Sequence, residues 1–443
     1  MIQQTITASE RRYISMLRTI VIGVILVTPF YGLLSTWIGT TVGPLWLWKS
    51  LLDIIIAVLA LIFFVWVLQH RASRQRLFAQ PIIIAMVSFS IVALLVTAIM
   101  HPPSAQLAAG LAFGLRYIFL FCIVYGTTAL IGIGREWWAK TVQIIFWITI
   151  TVVILGVIQV TIMPADFLTH FGYGPETIAP VMTIDQNDAA RRAFATMRGP
   201  NDFGAVMIIA LGIACMAKLR RHQRVILAAA SLIGMFISGS RSALLGGFVV
   251  IVAAVVMRAG VKTLRRPLAI GIIAGSFVLA CVVLYAATTI PALRLIVFHS
   301  SPTDTHLTEG STDKHWEQTW LGLERVALQP LGCGLGCAGP ASFYGAQPQI
   351  SENYYVQVAE ETGIVGVAIW IVMMMLVMNE LRTYIRRDRA AAMLFVSGLG
   401  ISVVGFWLHV WADITLSLVW WGLVAVVLGN AIAKSTQKGY DTT

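Results

Sequence analysis

Charge is what this chain has least of. Only 12% of its 443 residues are Asp, Glu, Lys or Arg, while 58% are hydrophobic and the mean hydropathy is +0.83. A soluble domain carries about 25% charged residues, so a soluble globular protein is excluded and the chain reads as a polytopic integral membrane protein. Segments of about 10 residues with alternating polarity are also missing, which excludes a transmembrane barrel and leaves an all-α fold. No period of 20 to 50 residues and no low-complexity tract is visible. Cysteine is scarce, with five in the chain. Cys122, Cys215 and Cys281 lie in apolar runs and read as small buried hydrophobes. Cys333 and Cys337 fall between runs, where they can pair if that compartment is oxidising; two cysteines alone do not make a zinc site.

What is present is apolar length. A bilayer core takes about 20 apolar residues per helix, and about twelve such runs occur, at roughly 16–36, 47–68, 81–100, 106–129, 141–163, 203–217, 225–238, 242–257, 268–290, 354–378, 391–408 and 412–433. Residues 1–443 are therefore expected to form a single transmembrane domain. The first run is too long for the apolar core of a signal peptide and lacks a clear cleavage site, so it is expected to remain as an anchor. The net charge of +11 is distributed by side of the membrane. Arg71, Arg74 and Arg76, then Arg135 and Lys140, Lys218 to Arg224, Arg258 to Arg266 and Arg382 to Arg389 all occupy even-numbered connections. That pattern predicts cytoplasmic termini and assigns the basic excess to topology, so nucleic acid is discarded as a partner.

Two outward connections are long, residues 164–202 and 291–353, and long loops usually carry function. In the second, "STDKHWEQTWLGLERVAL" places Trp316, Trp320, Leu323 and Ala327 at spacings of four, three and four. This predicts a short amphipathic helix against the membrane surface, stopped by Pro330 and the glycines after it. Gly334 to Gly339 formally satisfies GxGxxG, but no βαβ unit surrounds it, so a tight turn is expected rather than a nucleotide site.

Few cations belong on the outer side, which makes Arg191, Arg192, Arg198, Arg241, Arg294, Lys314 and Arg325 informative. Arg116 adds a cation mid-way along a span, where an ionisable group costs roughly 3 kcal/mol or more and usually faces a partner or an aqueous cavity. The planar fork of arginine suits diphosphate oxygens. The alternatives are pairing with Asp185, Asp188, Asp202 or Glu352, or contact with lipid headgroups. For Arg241, in the tight "SGSRSALLG" turn between two runs, function is favoured. "ISENYYVQVAEETGIVG" then brings three glutamates to the start of a span. Glu352 and Glu360 would be about 12 Å apart along a helix, too far for a two-carboxylate hydrolase. Glu360 and Glu361 are expected near the interface, solvated or paired with arginine. Glu352 stands at the helix mouth, as a base or as part of a cap made by Ser351 or Asn353.

In order along the chain, "RAFATMRGPNDFGA", "ISGSRSALLGG", "WLGLERVALQPLGCGLG" and "ENYYVQVAEETGIVG" resemble the signature of the O-antigen ligase and polymerase superfamily over roughly residues 190–370. The resemblance implies an inverting, metal-independent, membrane-embedded C-type glycosyltransferase, working outside the bacterial cytoplasmic membrane without a cofactor. Its substrate would be an undecaprenyl-diphosphate-linked oligosaccharide, and its partners membrane lipid, a chain-length regulator and a flippase. Arg192, Arg198 and Arg241 would hold the diphosphate, with Arg116, Lys314, Asn353 and Tyr354 in support. Many ligases of the superfamily have histidine before the asparagine of the last motif. Glu352 before Asn353 is closer to a surface-polysaccharide polymerase.

The expected chemistry is removal of the acceptor hydroxyl proton by Glu352 while arginines stabilise the departing diphosphate. A ligase acting on a lipid A core is the near alternative. A transporter or flippase is a rival of another class, yet transporters use midplane sites on broken, repeated helices, whereas here the polar residues gather in outer loops and no matching halves are visible. A receptor or structural membrane protein would instead survive loss of Arg192, Arg241 and Glu352 together.

Overall fold

The computed structural model describes residues 7–184, 187–258 and 310–441, with isolated positions between 275 and 290. Most of the run expected at 268–290, with Cys281, and also Lys262, Arg265, Arg266, Asp185 and Arg294, lie outside the described residues. For Lys314 the description extends to the helical backbone only.

Helix α1, Ala8–Val27, opens with a capping box in which Thr7 and Glu10 satisfy each other's backbone N–H groups. A 3-10 turn at Thr28–Phe30, where Pro29 has no N–H to donate, leads into α2, Tyr31–Thr41. Then follow α3 (Leu45–Gln69), the short basic α4 (Arg71–Phe78), α5 (Pro81–Met100), α6 (Ser104–Ile131) and α7 (Arg135–Thr161). The connection between α7 and the next helix holds a small antiparallel hairpin, β1 (Thr183–Ile184) with β2 (Asn187–Arg191), the one departure from an all-α reading among the described residues. After it come α8 (Pro200–Met216), α9 (Arg221–Ile237), α10 (Arg241–Arg258), α11 (Gly310–Leu328), α12 (Tyr354–Tyr384), α13 (Arg389–Val404) and α14 (Ile414–Asp441).

Eight of the described helical segments are long and apolar enough to cross a membrane, with α1 and α2 counted as one. Helices α8 and α13, at 17 and 16 residues, are apolar but shorter, about 26 and 24 Å at 1.5 Å per residue.

Helix α14 is apolar on all sides, which requires burial in the bundle. Leu416, Leu418, Trp420, Trp421, Val424 and Leu428 are fully enclosed. Trp421 stacks on Tyr117 of α6 at 5.2 Å and meets Trp420 edge-on at 5.1 Å. Helix α8 is similarly enclosed from Met207 to Ala214. By contrast α3 buries Leu52, Ile56, Leu59 and Phe63 and leaves Leu61, Phe64 and Val65 exposed, an outer apolar face of the kind lipid covers. The polar loops before α8, before α12 and between α13 and α14 all meet over the buried pair α8 and α14.

Candidate functional site

The loop entering α8 is fixed from behind. Gln159 of α7 accepts from the backbone N–H groups of Phe194 and Ala195 at 3.0 and 2.9 Å, and Thr196 donates to the carbonyl of Pro29. These bonds deliver Arg198 to the start of α8, where Pro200 occupies the first turn and Asn201 and Asp202 follow. Arg192 ties this motif to the next one. Its Nε donates to the Ser238 carbonyl at 2.8 Å and its Nη2 to Asn201 Oδ1 at 2.7 Å. Ala193 N–H also reaches the Ile237 carbonyl at 2.9 Å. Arg241, the first residue of α10, stands just past this turn and has contacts of its own.

The start of α12 is built by α11. Along one face of α11, His315, Thr319, Gly322 and Arg325 recur at helical spacing. Thr319 donates to the Ser351 carbonyl at 3.0 Å, Gly322 packs against Ser351 and Val356, and Arg325 pairs with Glu360. His315 Nδ1 lies 3.1 Å from Glu352 Oε2, an ion-pair distance with poor hydrogen-bond geometry. The expected apolar stripe faces away, with Trp316 71% and Trp320 56% exposed. Asn353 is the N-cap of α12 and accepts from the N–H groups of Tyr355 and Val356 at 3.0 and 3.2 Å. The cap is thus made by Asn353, one of the two residues expected for it, and the Glu352 side chain takes no part in it. The Glu352 backbone is left-handed, with φ 51°, a conformation uncommon outside glycine and asparagine.

Helix α12 breaks at Gly363, whose φ is 71°. The glycine turn of the LGCGLG stretch fills the break: Cys333 and Gly334 donate to the carbonyls of Glu360 and Glu361 at 2.8 and 3.0 Å, and Ile364 N–H reaches the Pro330 carbonyl at 3.0 Å. Cys333 and Cys337 are joined in a disulfide across this turn. Glu360 and Glu361, expected to be solvated or paired at the interface, are both buried, 2% and 4% exposed. Arg325 pairs with Oε1 of the first, the arginine partner expected for it, while Glu361 accepts from Gly336 N–H at 3.0 Å and from Gln357 at 3.4 Å. They are structural acceptors.

The three loops enclose a cavity of about 260 Å³ whose polar walls are Arg198, Asn201, Asp202, Glu352, His409 and Asp413. Arg198 makes no hydrogen bond or ion pair among the described residues. Burial raises the Glu352 carboxyl, but the contact with His315 and the interaction with its ring outweigh it, so the group is held below the usual carboxylate range. Burial brings His409 down to about 4 and pushes the Asp413 carboxyl up. Asp413 also accepts from Leu416 N–H at 2.6 Å, capping α14.

Of the residues singled out in the sequence, Arg198 and Glu352 line this cavity, and Arg192 reaches it through Asn201. Arg241 is not in its wall. Arg116, 2% exposed, is committed elsewhere: it pairs with Asp53 at 3.2 Å and donates to the Ala412 carbonyl, holding the α13–α14 loop in place. Tyr354 is buried, with its hydroxyl 3.3 Å from that of Tyr117 and its N–H on the Gly405 carbonyl. His315, His409 and Asp413 carried no sequence signal of their own. Among the described residues no group of three or more His, Cys, Asp or Glu could hold a metal ion. No family model and no curated protein matches the chain.

Proposed function

We propose that the protein is a surface-polysaccharide polymerase of about twelve spans in the bacterial cytoplasmic membrane, with both termini cytoplasmic and the cavity facing outward. It joins undecaprenyl-diphosphate-linked repeat units by inverting, metal-independent glycosyl transfer. The observation that carries this reading is the meeting, in one cavity, of an arginine from the "ATMRGPND" motif, without a hydrogen bond or ion pair among the described residues, and a carboxylate from the "SENYY" motif. An acceptor sugar hydroxyl would lose its proton to Glu352 as its oxygen forms the bond to the donor's anomeric carbon. The carbon–oxygen bond to the diphosphate breaks on the opposite face. Arg198 then stabilises the leaving oxygens; Arg192 stands behind it through Asn201, and Arg241, outside the cavity wall, completes the proposed diphosphate set.

Glu352 held below the ordinary range is ionised at neutral pH, the state a proton acceptor needs. It is a weak base, and one suited to a hydroxyl that becomes acidic only as its oxygen bonds to carbon. Glu352→Gln is expected to insert and fold normally and to abolish chain growth; chain growth at the wild-type rate would refute the assignment.

A further inference from the structure

The cavity is rich in hydrogen-bond acceptors. Glu352, Asp202 and Asp413 present carboxyl groups, with Arg198 as the cation among its lining residues. Carboxyl groups are poor company for a diphosphate and good company for hydroxyl donors.

His409 adds a fourth acceptor whose state is set by a chain of bonds. Gly336 N–H anchors Glu361 Oε1 at 3.0 Å, and Gln357 Nε2 donates to the same oxygen at 3.4 Å. That turns Gln357 Oε1 toward His409, whose Nδ1 is 2.6 Å away. An amide oxygen only accepts, so Nδ1 carries the proton and Nε2 of the neutral ring is a bare lone pair. With His409 brought down to about 4, the ring is neutral at physiological pH. Nε2 is buried and has no partner among the described residues. His409 lines the cavity, and a buried acceptor left unmade on a lining residue is where a ligand donor belongs.

We infer that the part of this cavity lined by His409 and the α13–α14 loop is a saccharide subsite that takes the hydroxyl-rich glycan while the diphosphate lies at Arg198, and that His409 Nε2 accepts a hydrogen bond from a sugar hydroxyl. The inference rests on the glycosyl-transfer reading above and assigns His409 to binding, apart from the proton acceptor Glu352.

The test uses purified full-length protein and repeat-unit oligosaccharide released from its lipid diphosphate, prepared from cells that make the protein. His409→Asn keeps an amide able to donate to Gln357 and loses the acceptor at Nε2. It is expected to bind the glycan about tenfold more weakly than wild type, with an unchanged melting temperature. His409→Gln, which can return an oxygen near the Nε2 position, is expected to recover most of the affinity. Inorganic pyrophosphate is expected not to displace the glycan. Wild-type affinity in folded His409→Asn, displacement by pyrophosphate, or no glycan binding by the wild type would each overturn the subsite. Glycan binding that needs His409 in a wild-type protein that forms no glycosidic bond would instead defeat the glycosyltransferase reading and leave the subsite standing.

Discussion

Glu352 holds a left-handed backbone and presents its carboxylate to a cavity with His315 at 3.1 Å. Glycine at this position would relieve about 1 kcal/mol of backbone strain. Glu352→Gly is therefore expected to melt no lower than Glu352→Gln, although both lose chain growth; a lower melting temperature for the glycine variant would show that the carboxylate supports the fold. His409 supplies a pH dependence with a definite sign. Its value of about 4 lies below the ordinary 6.5, so the unfolded chain binds the proton first. Its contribution is present above pH 6.5 and is lost as the pH falls from there toward 4. The melting temperature of wild type is expected to drop more steeply over that interval than that of His409→Gln, and equal slopes would contradict it. Glu352 and Arg198 were legible in the sequence because an arginine and a glutamate on the outer side of so apolar a chain are anomalies. His315 and His409 were not, since their partners Glu352 and Gln357 are 37 and 52 residues away along the chain and only the fold brings them together.

The broken helix α12 and the amphipathic helix α11 form the frame on which these residues stand. A Cβ on Gly363 would lie 2.6 Å from the Leu331 carbonyl carbon and the Pro330 carbonyl oxygen, at a φ that side chains rarely adopt. Gly363→Ala is expected to close the break only by expelling the glycine turn, and so to lower the melting temperature and abolish chain growth together; a variant with wild-type melting would show the break to be dispensable. Arg325→Ala leaves the buried carboxylate of Glu360 without its cation, a loss on the order of 3 kcal/mol for a buried pair, read as a lower melting temperature. Helix α11 was visible in the sequence through its tryptophan stripe, and its bounds are close to those expected. The packed stripe of His315, Thr319, Gly322 and Arg325 was not, because it is polar and small, and such residues ordinarily signal a solvated face. The turn expected from the glycines was also legible. Its pairing with the carbonyls freed at Gly363 was not, because a glycine at the start of an apolar run gives no sign of the distant turn that fills the break.

For the whole molecule, the scarcity of charge was enough to establish a helical membrane protein, since apolar length and helix formation follow directly from the absence of water in a bilayer. The number of spans was less legible. Eight described helical segments are long enough, and α8, α9 and α13 are too short for length alone to decide. The proposed sidedness rests on the basic connections, and it predicts that cysteine placed at Glu176 reacts with a membrane-impermeant maleimide from outside while one at Ala72 does not; the reverse pattern would invert the topology. The central claim is that one outward cavity joins lipid-linked sugars. Its most direct measurement gives purified protein a defined undecaprenyl-diphosphate oligosaccharide and follows product length. The account predicts a ladder of extended glycans from wild type and none from Glu352→Gln. Absence of a ladder with wild type, whether the glycan passes only to an added core lipid or crosses the bilayer without a new bond, would contradict it.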